Sequence, residues 1–227
     1  MTDGPGGDLV IVSAGGFGRE TAEAVRAMNA VGASWRLLGY LDDDAALSGR
    51  CLEDIPVLGG LEELKHLPNA SVVVCTGRPD NYVSRPLIVK AFGLPAERYA
   101  TIVHPTAAVP PSSRIGPGSV LLAYAALTAA VSIGSHVAVM PHATLTHDDV
   151  VEDFATLASG VGLGGGVRIG QCAYVGAGAL IRENRAVGSC ALVGMGSVVI
   201  SDVPAREVWA GVPARYVRGT SIPHEQR

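Results

Sequence analysis

The sequence of 227 residues has few aromatic and few charged side chains. Aromatic residues make up 5% of the chain and charged residues 17%, whereas 48% of the residues are hydrophobic. The formal net charge of −4 provides no broad basic surface, so nucleic acid is not an expected partner. The low aromatic content suits a thin β structure whose interior has room for aliphatic side chains and little else.

The sequence also lacks a long uncharged apolar run, so we expect no membrane-spanning helix. Its first eight residues are polar and Gly-rich, without the basic start or apolar stretch of a signal peptide. The four cysteines do not have the spacing of a metal site. We therefore expect a cytoplasmic protein whose cysteines are small apolar residues in a reducing compartment.

A strict period of six residues organises the chain from Val109 to Pro204. Sixteen consecutive blocks of six begin with Val, Ile or Leu, the last of them at Val199. The fifth residue of a block is small or Val in all but two blocks, where Asp149 and Arg185 stand. A helix repeats its apolar face every 3.6 residues and a strand every two. A period of six therefore predicts a parallel β-helix, with three hexads to a coil and about five coils.

This repeat resembles that of the hexapeptide-repeat acyltransferases. The resemblance implies a left-handed prism, whereas the general rule for parallel crossovers would favour the right-handed sense. A five-coil prism has narrow faces that bury little surface alone, and the family packs three together. We therefore expect a homotrimer.

Short apolar strands alternate with helical stretches in the first hundred residues. Strands are predicted over 8–14, 35–41 and 71–75, and helices over 19–30, 61–67 and 81–92. This order predicts an abbreviated Rossmann-like α/β domain with a parallel sheet over 1–100. The β-helix domain is expected over 101–227, with an irregular segment over 207–215 and a frayed tail over 221–227.

Two loops of the predicted α/β domain are candidates for nucleotide binding. The turn Gly15-Gly16-Phe17-Gly18 would bring a phosphate close to backbone N–H groups at a helix N-terminus. The acidic run Asp42-Asp43-Asp44 follows the second strand, where such domains bind a ribose or base. The glycine spacing departs from the dinucleotide fingerprint, so a plain tight turn and a solvated strand end stay open as alternatives.

His147 is the most informative of the six histidines. It lies at a hexad turn, where its ring should point outwards, and Asp148 beside it would fix the tautomer and raise the basicity of the ring. Gly165 stands one coil later in the run Gly164-Gly165-Gly166. Bare backbone there would admit a thioester and offer an N–H to its carbonyl oxygen. The pattern predicts a general-base site for acyl transfer.

A closer resemblance covers the chain from Leu9 to about Gly219. The segments A-G-G-x-G-R, L-D-D-D, I-V-H-P, T-H-D-D-V-V-E-D-F and G-V-P-A-R resemble the sialic acid O-acetyltransferase and nucleotide-amino-sugar N-acetyltransferase family. The resemblance implies that His147 is the general base, that Asp148 orients it, and that acetyl-CoA lies along the prism between subunits.

The resemblance also implies where each ligand is bound. The sugar nucleotide is expected on the α/β domain, at the substrate-binding residues Gly15, Gly16, Phe17, Gly18, Asp42 and Asp43. Acetyl-CoA is expected at the cofactor-binding residues Thr156, Gly164, Gly165, Gly211, Pro213 and Arg215.

Two positions depart from the family pattern. Phe17 stands in the first turn where relatives often carry a histidine. Thr156, nine residues after His147, replaces a second histidine that some relatives place near the acetyl group. The base is retained, but these changes leave the identity of the acceptor sugar and its nucleotide open.

The expected reaction is direct transfer of an acetyl group to the amino group of a sugar, with a nucleotide-linked amino sugar as the expected acceptor. Neither a metal nor a covalent enzyme intermediate is required. O-acetyl transfer is an alternative. The spacing of His142 and His147 is also seen in the zinc-dependent γ-class carbonic anhydrases, but Thr106 stands where their third ligand would be expected. A non-catalytic trimeric scaffold is the remaining alternative.

Overall fold

A computed structural model describes residues 6–220 of the chain. The predicted tail over 221–227 and the first five residues lie outside the described part. The first domain contains β1 (Gly6–Val12), α1 (Gly16–Ala30), β2 (Ser34–Leu41), β3 (Cys51–Leu52), β4 (Ile55–Gly59), β5 (Ser71–Val74) and α2 (Ser84–Phe92). Two short 3₁₀ helices span Leu61–His66 and Ala96–Arg98.

The sheet of this domain has the strand order β3-β4-β2-β1-β5. All its pairs are parallel except β3 with β4, which form an antiparallel hairpin that the sequence pattern did not predict. Strand β3 has only two residues, too few to show an apolar period. Helix α1 buries Ala22, Val25 and Met28 against the sheet. Helix α2 begins three residues later than predicted, which places Pro86 in its first turn, where proline is tolerated.

The second domain is built from two-residue strands. They are β6 (Ile102–Val103), β7 (Arg114–Ile115), β8 (Val120–Leu121), β9 (Ala126–Leu127), β10 (Ser132–Ile133), β11 (Ala138–Val139), β12 (Thr144–Leu145), β13 (Val150–Val151), β14 (Thr156–Leu157), β15 (Gly162–Leu163), β16 (Arg168–Ile169), β17 (Tyr174–Val175), β18 (Leu180–Ile181), β19 (Ala186–Val187), β20 (Leu192–Val193) and β21 (Val198–Val199). Each pairs in parallel with the strand one coil away, and the resulting three sheets form a left-handed β-helix.

The three sheets are the faces of the prism. The first face contains β7, β10, β13, β16 and β19; the second contains β6, β8, β11, β14, β17 and β20; and the third contains β9, β12, β15, β18 and β21. The first residue of each hexad points inwards, as predicted, and those from Leu121 to Val199 are at most 4% exposed. Val109 is 37% exposed, because it lies at the open end of the prism. The predicted fold class is confirmed.

The C-terminal segment is ordered, and the prediction of an irregular stretch there is wrong. β22 (Glu207–Gly211) continues the second face by pairing in parallel with β20, and β23 (Ala214–Gly219) pairs antiparallel with β22. Buried Val208 and Ala214 anchor the hairpin, although neither follows the hexad period. At the other end, the core of the first domain continues into Ile102, Val120 and Leu122 of the first coil.

None of the helices in the described part of the chain has both the length and the apolar composition required to cross a membrane.

Candidate active site

His147 lies in the turn between β12 and β13, at the corner where the third and first faces meet. Asp148 has a φ of +63°, a left-handed conformation that aspartate tolerates and that the fourth residue of many hexads adopts. The His147 Nδ1 lies 2.9 Å from Asp148 Oδ2, and the two side chains are 68% and 70% exposed. Since a carboxylate only accepts, Nδ1 carries the proton and Nε2 keeps its lone pair, as a base requires.

Gly165 lies one coil above His147, as the 18-residue spacing predicted. A Cβ built on Gly165 would lie 2.4 Å from both Nε2 and Cε1 of His147, so only glycine allows the ring to cover this backbone. Within residues 6–220 the Gly165 N–H donates no hydrogen bond, whereas its carbonyl accepts the N–H of Asn184 at 2.9 Å. We call the turn Thr146–Asp149 with Gly164–Gly166 above it the His147 corner.

Asp149 is the buried member of this corner, fully enclosed although it carries a carboxylate. Its Oδ2 accepts the N–H of Thr146 at 2.8 Å, and its Oδ1 accepts the N–H of Val167 on the next coil at 2.8 Å. Burial raises the pKa of Asp149 to about 6. Sequence reasoning had identified this residue only as an exception to the small-residue rule. The polar residue at the fifth hexad position was the available signal. Ser119 has the same hexad position, and its Oγ likewise accepts the N–H of the residue 18 positions later, Val137.

A cavity of about 210 Å³ lies between the α/β domain and the second face. We call it the interdomain pocket; its wall consists of Phe17, Gly77, Arg85, Ala138, Met140, Thr156, Ala158, Ser159, Tyr174 and Ala177. The two positions that depart from the family pattern, Phe17 and Thr156, therefore line one cavity. His147 does not line it, because the His147 corner lies opposite the second face of the same chain.

The glycine turn before α1 is tight, as expected. The Gly15 N–H is 3.2 Å from Ser13 Oγ. A Cβ built on Gly18 would lie 2.0 Å from the carbonyl oxygen of Ser13, which makes glycine necessary there. No atom approaches within 4 Å of a Cβ built on Gly16, so that position is open.

The acidic residues after β2 contact backbone N–H groups of the domain itself. Asp42 accepts the N–H of Ala14 at 2.8 Å and the N–H of Asp44 at 3.0 Å. Asp43 accepts the N–H of Leu61 at 2.8 Å. These bonds brace the carboxyl end of the sheet close to the glycine turn, so the predicted substrate-binding residues are neighbours in space.

The predicted CoA-binding residues near the C-terminus lie on the hairpin of β22 and β23. Gly211 ends β22 and donates its N–H to Ser197 Oγ at 3.1 Å. Pro213 is in the connection, and Arg215 follows it in β23. This hairpin extends the second face, so the structure does not bring these residues to the His147 corner of the same chain.

His142, the candidate zinc ligand of the alternative reading, stacks on Tyr124 with ring centroids 5.1 Å apart. In the part of the chain that the structure describes, no three His, Cys, Asp or Glu side chains are grouped so as to hold a metal ion.

Comparison with known proteins identifies relatives of both domains. Residues 8–83 match the model of the PglD N-terminal domain family. The acetyltransferase domain of PglB from Neisseria gonorrhoeae FA1090, solved in complex with acetyl coenzyme A, is 31% identical, with a TM-score of 0.82. The match covers 92% of this chain and 98% of that one. The chain belongs to the PglD-like N-acetyltransferase family of hexapeptide-repeat acyltransferases.

Other PglD-like structures are similar over the same length. PerB from Caulobacter crescentus, solved with CoA and GDP-perosamine, is 28% identical, with a TM-score of 0.80, and the match covers 93% of this chain and 97% of PerB. WeeI from Acinetobacter baumannii AYE is 27% identical, with a TM-score of 0.78 and coverage of 92% and 99%. A search of curated proteins found no match. The family and the class of enzyme predicted from the sequence are confirmed.

Proposed function

We propose that the chain transfers an acetyl group from acetyl-CoA to the amino group of a nucleotide-linked sugar, with His147 as the general base. The observation that carries the proposal is the His147 corner, where a base with a fixed tautomer lies against bare glycine backbone. The PglB and PerB structures support the choice of ligands, since one contains acetyl coenzyme A and the other CoA with GDP-perosamine.

The chemistry starts with a neutral acceptor amine, because an ammonium group has no lone pair. His147 Nε2 takes a proton from the amine as its nitrogen attacks the thioester carbonyl. The C–N bond forms and the C–S bond breaks, so CoA leaves as a thiolate. The Gly165 N–H is positioned to donate to the oxygen that becomes negative in the tetrahedral intermediate. Asp148 holds the ring in the tautomer that the first step requires.

The complete site requires two protomers in this proposal. The interdomain pocket and the predicted nucleotide-binding residues lie on one side of the prism, and the His147 corner lies on the other. A neighbouring protomer in a homotrimer would bring its own second face to this corner. Acetyl-CoA would then lie between the protomers, with the Gly211–Arg215 hairpin of one of them close to it.

The test is an acetylation assay with acetyl-CoA and a panel of acceptors that includes GDP-perosamine and UDP- and dTDP-linked amino sugars. We expect CoA release with one of them, and a product whose added acetyl group resists mild alkaline hydrolysis, as an amide does and an ester does not. A product that loses its acetyl group under these conditions would favour O-acetyl transfer. Acetyl-CoA binding without turnover of any acceptor would favour the scaffold alternative.

The α/β domain is tested by Asp42→Ala and Asp43→Ala. We expect both substitutions to raise KM for the acceptor and to leave acetyl-CoA affinity unchanged, because the contacts are remote from the thioester. Asp44→Ala is the matched control, since it removes a carboxylate from the same acidic run. Equal weakening of acetyl-CoA binding would contradict the assignment of nucleotide binding to this domain.

A further inference from the structure

Arg85 is a charged residue that sequence reasoning missed. It lies in the first turn of α2 and is 1% exposed. Its Nη1 donates to the carbonyl oxygen of Thr76 at 3.0 Å, and its Nη2 lies within hydrogen-bond distance of two prism carbonyl oxygens, at Phe154 and Ala155. The same Nη2 donates to Thr156 Oγ1 at 2.6 Å. The guanidinium group therefore links the α/β domain to the second face of the prism.

The positive charge of Arg85 has no acidic partner among residues 6–220. None of the ion pairs in this part of the chain includes it, and all its acceptors are neutral oxygens. Its Nε is also buried without a hydrogen bond. Burial lowers the pKa of Arg85 to about 10, which leaves it protonated at neutral pH. An unpaired buried cation is costly, so its place in the wall of the interdomain pocket calls for an explanation.

The bond from Arg85 determines how the Thr156 hydroxyl is used. A guanidinium only donates, so Thr156 Oγ1 must accept, and the hydroxyl proton points elsewhere. Within the described residues Thr156 Oγ1 donates to no acceptor, and the side chain lines the interdomain pocket. Gly77 keeps the region open, since a Cβ there would lie 3.2 Å from Arg85 Nη1. The hydroxyl proton is therefore available to a bound ligand.

We propose that Arg85 is a positioning residue that makes Thr156 a hydrogen-bond donor to the carbonyl oxygen of the acyl group. The inference rests on the proposed acetyl transfer and adds a residue to it. An oxygen that gains negative charge during the reaction benefits most from a donor beside a buried cation. The neighbouring wall, formed by Ala138, Met140 and Ala158, is apolar and suits the methyl group of an acetyl substituent.

The first test compares Thr156→Val with Thr156→Ser, because valine removes the hydroxyl at nearly constant shape and serine keeps it. Calorimetry with acetyl-CoA and with CoA measures the contribution of the acyl group without an acceptor. We expect Thr156→Val to bind acetyl-CoA about 5–10-fold more weakly while CoA binding is unchanged, as loss of one hydrogen bond predicts. Its kcat should fall at least about 10-fold, whereas Thr156→Ser should stay close to the wild type in both measurements.

The second test asks whether Arg85 acts through Thr156. Arg85→Lys keeps the charge but loses the planar fork. We expect it to lower kcat about 10-fold in the wild-type background and about 2-fold or less in the Thr156→Val background, because partners in one network are not additive. Equal losses in both backgrounds, together with a lower melting temperature, would show a purely structural role and overturn the inference.

The inference is also overturned if Thr156→Val matches Thr156→Ser in both kcat and acetyl-CoA affinity. Failure of the proposed acceptor has a different signature. In that case the wild type acetylates no amino sugar, but it still prefers acetyl-CoA to CoA, and Thr156→Val still abolishes the preference.

Discussion

The His147 corner and the interdomain pocket differ in nearly every physical respect. At the corner, the His147 and Asp148 side chains are 68% and 70% exposed and contact each other. In the pocket, Arg85 is 1% and Thr156 5% exposed. Arg85 is hydrogen-bonded to the prism, and Thr156 lies in a strand that pairs with the next coil. The corner presents chemically reactive groups to solvent, whereas the pocket is a cavity already formed within one chain.

This difference indicates which part of an acetyltransferase site each region would provide. A general base whose side chain is 68% exposed has no enclosing wall to exclude water or to position a substrate. A walled pocket without a base can bind but cannot remove a proton. Each region supplies what the other lacks, which favours a site completed by a neighbouring protomer.

The largest effect is expected at the corner. General-base removal costs about 10²–10⁴ in rate, so His147→Ala should lower kcat by that amount. Acetyl-CoA affinity and the oligomeric state should persist, because an exposed ring supports no core. Steady-state kinetics, calorimetry and light scattering measure the three quantities.

His142→Ala is the matched control for that substitution. His142 lies at another turn of the same coil, and its ring stacks on Tyr124. We expect its kcat to stay within about 3-fold of the wild type. A His147→Ala variant with near wild-type kcat would refute the mechanism, and His142 would become the next candidate.

Mixed assemblies test whether the corner and the pocket of different chains work together. Ala177 is exposed at the wall of the interdomain pocket, so Ala177→Trp should block the pocket without disturbing the core. Neither His147→Ala nor Ala177→Trp should be active alone. Co-expression with two affinity tags should restore about a quarter of wild-type activity, since one random pairing in four joins an intact corner to an intact pocket. No recovery in verified mixed oligomers would place both regions in a site within one chain.

A smaller loss is expected for Asp148→Ala. The substitution removes the hydrogen bond to Nδ1, but a less well oriented imidazole can still accept a proton, so kcat should fall about 10-fold. The backbone tolerates alanine, because Ala130 has a φ of +54° at the same hexad position one coil earlier. Asp148→Asn, which can still accept through Oδ1, should recover most of the loss. A loss as large as that of His147→Ala would instead assign Asp148 a direct part in the chemistry.

The sequence predicted the corner well because both of its elements follow the repeat. His147 and Gly165 are 18 residues apart, so the period that predicts the prism also places one above the other. The exposure of His147 follows from the same rule, since it is the third residue of its hexad, whereas the first residue faces inwards and the fifth packs beside it.

The pocket could not be predicted in this way. Arg85 contacts Phe154 and Thr156, about 70 residues later in the chain, across two domains with different periods. No periodicity connects a helix of the α/β domain to a coil of the prism. The C-terminal hairpin could not be predicted either, because its buried residue Val208 lies beyond the last hexad and outside the six-residue period.

The last prediction concerns stability rather than rate, at Asp149, whose carboxylate accepts N–H groups from both coils of the corner. Asp149→Ser should keep the bond to the Val167 N–H, as Ser119 does for the N–H of Val137. Burial raises the pKa of Asp149 from 3.8 to about 6. The folded state therefore holds the proton more tightly, and this contribution to stability is present below about pH 4 and is lost as pH rises through about 6. Two pKa units correspond to about 3 kcal/mol.

The Asp149→Ser variant lacks that contribution, so its stability relative to the wild type should be lowest near pH 4 and should rise by up to about 3 kcal/mol by pH 6.5. His136 has the opposite linkage, because burial lowers its pKa from 6.5 to about 4. That linkage is common to both proteins and cancels in their difference. Denaturant unfolding of the two proteins at pH 4, 5, 6 and 6.5 measures the trend. A stability difference that is constant over this range would show that Asp149 titrates alike in the folded and unfolded chains, and that its carboxylate is not desolvated beneath the corner.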